Sequence, residues 1–569
     1  MKNWIVSEIN KDEAKRIQTE YGLPPILAML LQIRGITKRE EIEDFLQNDS
    51  VIASPLEIKD MKKGADRILS AIDNDELICV YGDYDADGVT STALLYSYLE
   101  TVGANAMYYI PSRETEGYGM NKGAIDILAE KGVKLIVTVD NGIAAVEEID
   151  YANSLGIDTV ITDHHQPTGK IPNAVAVIDM HQSDCPSKYK MLSGVGVAFK
   201  LVMALEGENC DVSSLLDNYS DLLCIGTVGD IVELKSENRV FVKRGLVNIQ
   251  ESDRAGINAL IETAGIAGKK ITSGNVSFTL VPRINAVGRL GFSGKSVSLL
   301  LTDDENEAMS IAKQLNEDNN ERKEIEKNIL MKIDEMVKAN PHITNDRVLV
   351  IDGEGWHQGV IGIVAAKVKE FFGKPTVIIS RDGEEAKGSG RSVEGFPLCD
   401  AVFACSDLLT HRGGHPMAVG LSLDSENIPA FRRKINEFAD NFGKMPYDKI
   451  NIECKLNPAY INLDLIDSLS LMQPYGAGNP TPVFGLYNMT LKNITPLSAN
   501  RHLRLTLSRN NIQITAMKFF TSTEEFPYKI GETLDLAVNL DRNEFNGNVS
   551  VSVIVKDIKS SDCDTEKLL

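Results

Sequence analysis

The sequence predicts an α/β protein of several domains, in which two strand–helix units joined by one long helix precede a small antiparallel β domain. Three observations predict it. Apolar strand-like runs alternate with helix-like segments between about 75 and 230, the pattern of a parallel sheet with helices on its faces. From Asp303 to about Asn340 there is neither Gly nor Pro, while Ile311, Leu315, Ile325, Ile329, Ile333 and Met336 recur at helical spacing. Between about 451 and 556, runs such as Leu503-Arg504-Leu505-Thr506-Leu507 and Val549-Ser550-Val551-Ser552-Val553 alternate with period two, as strands with one buried face do. At 569 residues the chain is too long for a single hydrophobic core.

Residues 1–50 hold Pro24-Pro25, the apolar run Ile26 to Leu31 and the charged Thr37-Lys38-Arg39-Glu40-Glu41; they are expected to form a helical arm. Residues 51–302 form the first α/β domain, with strands expected at Leu77–Tyr81, Ala106–Ile110, Lys134–Val139, Thr159–Thr162 and Ala174–Ile178. Residues 303–340 are the long helix, roughly 50 Å at 1.5 Å per residue. Its middle, Asn316 to Arg322, is polar all round and is expected to cross between domains rather than pack throughout. Residues 341–445 form the second α/β domain, with strands at Val348–Ile351 and Thr376–Ile379. Residues 446–560 form the β domain, and 561–569 a frayed tail.

The composition is that of a folded globular protein: 43% hydrophobic and 25% charged. The eight cysteines include no Cys-x-x-Cys pair, which argues against a zinc knuckle or a disulfide scaffold. Met1 to Arg16 lacks the apolar core of a signal peptide, and there is no run of about 18 apolar residues. The expectation is a cytoplasmic protein with no membrane partner. A net charge of −22 opposes a polyanionic ligand except at local basic patches or where cations sit among the acids.

Chemistry concentrates at strand ends. Leu77 to Tyr81 runs into Gly82-Asp83-Tyr84-Asp85-Ala86-Asp87-Gly88, three carboxylates at every second position in a strand-to-helix loop, where open α/β sheets bind ligands. Like charges so close repel unless cations lie between them. The next strands end in Asp140-Asn141-Gly142 and Asp163-His164-His165, and the apolar Leu222 to Val228 leads into Gly229-Asp230. Singly, each has a plainer reading. Asp-Asn-Gly after a strand makes a turn, and neighbouring histidines are satisfied by backbone carbonyls. An EF-hand fails because its twelfth position is Leu94. In conjunction they predict a divalent-metal centre. Mixed carboxylate and imidazole donors suit Mn²⁺, pure carboxylate Mg²⁺ or Ca²⁺, and the number of donors suits two ions. Two ions about 3.5 to 4 Å apart serve hydrolysis of a phosphate ester or anhydride.

GDYDADG, VDNG, DHH and GTVGD, in that order on strand ends, resemble the DHH phosphoesterase superfamily. The resemblance implies a two-metal phosphoesterase using Mn²⁺ or Mg²⁺. It implies metal ligands at Asp85, Asp87, Asp140, His164 and Asp230, with His165, Asp83 and Asp163 as catalytic groups. Tyr81 stands where many relatives have histidine. Further runs are similar to one branch, the RecJ single-strand-specific exonucleases: Ser193 to Lys200, Pro282 to Arg289, Gly388 to Ser392, Gly413-Gly414-His415 and Pro474 to Pro480. They imply a DHH-type parallel-sheet catalytic domain, a DHH-associated second α/β domain and an OB-like barrel.

Gly388-Ser389-Gly390-Arg391 would expose backbone N–H groups beside a guanidinium, as a terminal phosphate requires. Ser389 and Arg391 are accordingly expected to bind substrate, with Arg113, Arg283 and Arg289 joining them, and the similarity of Gly413-Gly414-His415 to the DHH-associated domain implies substrate binding at His415 as well. Trp356-His357-Gln358-Gly359 reads either as part of that surface or as a helix start with a packed Trp. On the β domain Arg501, His502 and Arg504, with Tyr475 and Phe484, would offer charge and stacking. The implied activity is 5′-to-3′ exonucleolysis of single-stranded DNA in repair and recombination, by a monomer working with a single-strand-binding protein and a helicase. The rivals are a phosphodiesterase for oligoribonucleotides or cyclic dinucleotides, and an inactive DNA-binding replication scaffold.

Overall fold

The computed structural model describes the chain except residues 1–2, 47–51, 113–115, 118, 168, 291–293, 447–448, 546 and 562–569. It separates into two compact units. One comprises Asp49–Pro446 with Gly476–Asn479, the other Met1–Asn48, Tyr447–Tyr475 and Pro480–Leu569.

The larger unit opens on a five-stranded parallel sheet in the spatial order Ala106–Tyr109, Ile78–Tyr81, Leu135–Val139, Asp158–Thr162, Ala176–Ile178. Ile78–Tyr81 is buried throughout. Ile78 and Val80 pack with Val89, Leu94 and Phe199, whereas Cys79 and Tyr81 join Ile125, Leu128 and Ile136 in a separate cluster. Burial on both faces is why these strands read as unbroken apolar runs. Because every strand is parallel, their carboxyl ends share one edge, and the acidic tips meet there.

The connecting helix spans Glu305–Ala339, capped by Asp304, whose side chain accepts from the Asn306 and Glu307 N–H groups. Ala308, Ala312 and Leu315 pack into the first core; Ile329 and Ile333 pack with Leu349, Val360 and Val364 of the next. Its middle departs from expectation. Asn319, Arg322 and Glu326 are buried, with Arg322 donating to Asn319 Oδ1 and, at 2.9 Å, to Glu326 Oε2. Internal pairing lets these polar side chains leave water.

Beyond the helix lies a mixed sheet in the order His411–His415, Ala418–Asp424, Glu385–Arg391, Thr376–Asp382, Leu349–Glu354. Only Thr376–Asp382 and Leu349–Glu354 pair parallel.

In the smaller unit, Phe484–Leu497, His502–Arg509, Ile512–Lys518, Asn548–Ser560 and Thr533–Phe545 form a five-stranded barrel, closed where Thr533–Phe545 pairs back onto Phe484–Leu497. Closure leaves the barrel strands without open edges. Its core is shared with the N-terminal helices: Ile17, Leu27, Leu30 and Ile42 lie in one cluster with Leu503, Leu505 and Val553. Asn3–Val6 pairs parallel with Lys449–Ile452, and Arg34 Nη2 donates to Glu453 Oε1 at 2.8 Å. The arm is therefore part of the barrel unit. No helix among the described residues is long and apolar enough to cross a membrane.

Candidate metal centre

Asp85 is the N-cap of helix Ala86–Thr101; its side chain accepts from the Asp87 and Gly88 N–H groups at 3.0 and 3.1 Å. One oxygen thus fixes the loop, as N-caps do. Asp87, in the first turn, is 1% exposed. Its Oδ2 accepts from Gly194 N–H at 2.6 Å and its Oδ1 from Val195 N–H at 2.9 Å. These are the first N–H groups of helix Gly194–Glu206, which have no partner within the helix and favour an anion. The Ser193-Gly194-Val195 run therefore has a concrete role that its sequence did not disclose. Only a glycine fits at 194: a Cβ there would stand 2.6 Å from Asp140 Cβ.

Asp140 follows strand Leu135–Val139 with φ +63°, a left-handed conformation that aspartate tolerates. The turn reading and the ligand reading of Asp140-Asn141-Gly142 are thus compatible. Asn141 Nδ2 donates to Tyr81 O at 3.2 Å and Val139 O at 2.9 Å, tying two strand tips together.

Asp140 Oδ1 lies 3.0 Å from His164 Nε2, yet both atoms are buried without a hydrogen-bond partner. His164 Nε2 is also 3.8 Å from Asp87 Oδ2 and 3.7 Å from Asp230 Oδ2. Asp230 caps the C-terminus of helix Val212–Gly229, so the run Leu222 to Val228, expected to be a strand, is helical instead. Three sets of donor atoms fall within 4.8 Å of one another: Asp83, Asp85 and Asp140; Asp87, His164 and Asp230; Asp140, His164 and His165. Orphaned buried polar atoms are costly, and a shared cation resolves the cost. Carboxylate oxygens with one or two imidazole nitrogens fit a divalent ion of the Mg²⁺ or Mn²⁺ kind.

The electrostatics agree. Burial, and after it the Asp230 charge, pushes Asp87 up to about 7. Burial and then Asp87 push Asp140 well above the carboxylate range, and burial raises Asp230. Burial works against a charged His164, but Asp230 and Asp87 outweigh it and raise its pKa.

Asp163 differs. Its Oδ1 accepts from His164 N–H at 2.7 Å, from His165 N–H at 3.1 Å and from His165 Nδ1 at 2.7 Å, while Oδ2 accepts from Ile143 N–H at 2.9 Å. Burial would raise its pKa, but the His165 bond prevails and lowers it. His165 rises to about 9, the Asp163 bond overcoming burial. Asp163, expected among the catalytic groups, holds the backbone of both histidines and the ring of His165.

Tyr81 turns to the far face: its hydroxyl donates to Gly119 O at 3.2 Å and its ring stacks on Tyr109. Asp179, after strand Ala176–Ile178, escaped the sequence reading although it too is an acid at a strand tip. It is fully buried, and burial pushes it up to about 7.

The expected substrate residues scatter more. Arg113 lies outside the described residues. Arg283 is 7% exposed and donates to Asn316 Oδ1 at 3.1 Å and Thr279 O at 2.6 Å, which ties it to the connecting helix. Arg289 donates to Gly359 O at 2.9 Å, joining the two α/β parts. Ser389 and Arg391 share strand Glu385–Arg391, with Arg391 Nη1 donating to Ser389 Oγ at 3.2 Å. They face Gly362 of helix Gln358–Phe372, where a Cβ would meet Ser389 Oγ at 3.0 Å. His415 ends the exposed strand His411–His415. Trp356 is packed and His357 caps helix Gln358–Phe372, so the plainer reading holds there. Phe484 is buried in the barrel core and so offers no stacking surface, while Tyr475 is half-buried against that core with its hydroxyl on Leu469 O. The exposed aromatics near His502 are Phe519 and Phe520.

The sheet, its acidic edge and the histidine pair define a DHH-type protein. The model of the DHH family N-terminal domain matches residues 77–227, that of the DHHA1 domain 345–441 and that of the RecJ OB domain 452–557. The chain is 35% identical to the single-stranded-DNA-specific exonuclease RecJ of Bacillus subtilis strain 168, over 98% of this chain and 71% of that one. With RecJ of Escherichia coli K12 the identity is 32%, over 96% and 97%. The crystal structure of RecJ in complex with Mn²⁺ from Thermus thermophilus superposes with a TM-score of 0.84 at 29% identity, covering 98% of this chain and 79% of that one. The chain belongs to the RecJ family, and its acidic and histidine cluster fits a divalent metal cofactor.

Proposed function

We propose that this protein removes nucleotides from the 5′ end of single-stranded DNA by metal-dependent hydrolysis. The observation that carries the reading is the convergence of Asp85, Asp87, Asp140, His164 and Asp230, with Asp140 Oδ1 and His164 Nε2 buried and without hydrogen-bond partners at its centre. These residues would hold the metal, two ions by their number, with Asp83 close by. A bound divalent cation supplies Lewis acidity to phosphoryl oxygens and lowers the pKa of water.

The protein's own groups do the rest. The Gly194 and Val195 N–H groups keep Asp87 in one orientation. Asp163 holds His165 Nδ1, and in the cation-free protein that bond overcomes burial and raises the His165 pKa to about 9. The His165 Nε2–H can then pair with the scissile phosphate and give a proton to the leaving oxygen, as a positioned acid does. Ser389 and Arg391 suit the terminal phosphate, and His415 the strand beyond it. The intact ligand set disfavours an inactive scaffold, and the barrel disfavours a dinucleotide phosphodiesterase. The working partners would be a single-strand-binding protein and a helicase, with the enzyme a cytoplasmic monomer.

Digestion of oligonucleotides labelled at either end, with Mn²⁺ or Mg²⁺, tests the reading. Shortening from the 5′ end is expected, and Asp140→Ala should abolish cleavage while DNA binding persists. Shortening only from the 3′ end would refute the polarity, and full activity in Asp140→Ala would refute the site.

A further inference from the structure

Ile231 directly follows Asp230 and has φ +62°. It is 72% exposed. After the helix cap at Asp230 the chain turns in a left-handed residue, the position where helices place glycine. A branched β-carbon is the poorest choice there. The other described non-glycine residues in this conformation are Asp, Asn and Ser, with one Ala and one Phe; only Ile231 is β-branched. The turn is tied on both sides, by Asp230 N–H to Gly226 O at 2.9 Å and Leu234 N–H to Ala477 O at 2.8 Å. Strain kept in this way beside a reactive centre points to a use for the side chain. Packing is not that use, because the side chain is mostly in solvent.

What lies beside it is the cation cluster: Asp230 Oδ2 is 3.7 Å from His164 Nε2, and consecutive Cα atoms are about 3.8 Å apart. A phosphodiester seated at the cluster brings its sugar and base to this neighbourhood. The aliphatic side chain offers no hydrogen bond, so it reads no sequence. It can lie against the apolar face of an unpaired base, as isoleucine and leucine wedges do when they part stacked bases.

We propose that Ile231 is a substrate-contact residue whose side chain packs on the base of a nucleotide flanking the scissile phosphate and separates it from its neighbour. The assignment rests on the single-strand nuclease reading above and adds a residue to it.

The test compares wild type with Ile231→Asn and Ile231→Gly, both of which accept the left-handed backbone without the apolar side chain, and with Ile231→Val, which restores it. Substrates are single-stranded oligonucleotides with normal or abasic residues at the two nucleotides flanking the cleaved bond. Expected for Asn and Gly are an unfolding temperature at or above wild type, Mn²⁺ affinity within twofold and a KM raised about tenfold. The Val variant should stay within threefold. On abasic substrate the difference between wild type and Asn should fall below twofold. An unchanged KM, an equal deficit on abasic DNA, or a parallel loss of Mn²⁺ affinity overturns the assignment. A wild-type protein that leaves single-stranded DNA intact overturns the nuclease reading, and this inference with it.

Discussion

Replacing Gly194 by alanine should disable the metal centre without unfolding the protein. The added methyl would lie 2.6 Å from Asp140 Cβ, 2.7 Å from its Oδ1 and 2.8 Å from its Cγ, where ordinary contact begins at 3.4 Å. Relief therefore requires a shift of about 0.8 Å in a carboxylate, a displacement large enough to cost roughly 10²-fold in rate. Asp140 has nowhere to go: it is buried, in a left-handed turn, with His164 Nε2 3.0 Å from its Oδ1. The helix could recoil instead, but Gly194 N–H is bonded to Asp87, so recoil moves a second ligand. Overpacking costs about 1–3 kcal/mol, offset in part by alanine's better helix propensity, up to about 1 kcal/mol. The expected signature is kcat on single-stranded DNA down about 10²-fold with weaker Mn²⁺ binding by calorimetry, beside a small fall in unfolding temperature. Gly196→Ala, two residues on in the same run, is the control. The atoms nearest its Cβ belong to the Leu192 side chain, from 3.3 Å, and activity should stay within threefold. Gly194→Ala with wild-type kcat and Mn²⁺ affinity would refute the reasoning.

Mn²⁺ affinity should depend on pH, because burial and Asp230 hold Asp87 near 7 in the metal-free fold. Metal must displace that proton, so calorimetric affinity should fall by up to about tenfold for each pH unit below 7; equal affinity at pH 6 and 8 would contradict it. The same shift has a stability sign. A carboxyl whose folded pKa lies above its unfolded value favours the fold at low pH, and that contribution is lost as pH rises through about 7. The metal-free protein should therefore melt lower at pH 8 than at pH 6, and saturating Mn²⁺ should narrow the difference. A third expectation concerns Lys200 and Glu237, an ion pair whose side chains are 2% and 4% exposed. Lys200→Met leaves Glu237 buried without its cation and should cost about 3–5 kcal/mol in urea unfolding. A loss under 1 kcal/mol would mean that water reaches Glu237.

The strand tips were legible because parallel strands buried on both faces announce themselves as apolar runs, and the residue that ends each run is then fixed in space. Asp85, Asp140 and His164 follow such strands and meet Asp87; Asp230 joins them from the end of a helix, because a buried apolar run as short as Leu222 to Val228 does not tell strand from helix. Donor type was legible and target was not: an arginine advertises N–H groups, yet Arg283 spends two on Asn316 and Thr279. The partner of the N-terminal arm was also hidden. Ile17 packs in one core with Leu503, and helical periodicity shows that a face is apolar without naming what covers it. The centre of the connecting helix failed for a related reason. Asn319 and Glu326 pair with Arg322, and only three-dimensional placement shows that such residues bond one another away from water.

Asp140 and Asp163 show how one fold makes two functions from the same residue at the same place. Both end parallel strands of one sheet, and both are almost completely buried. Asp163 accepts from three backbone N–H groups and from His165 Nδ1, and its pKa falls. It is a satisfied anion, and it holds the imidazole of His165. Asp140 Oδ1 has no hydrogen-bond partner; Asp87 stands near it and its pKa rises. It is an anion that the fold leaves incomplete. Such divergence between neighbouring acids marks which one supports and which one acts. A hydrogen-bond donor introduced beside Asp140 Oδ1 would complete it as Asp163 is completed, and so erase the distinction.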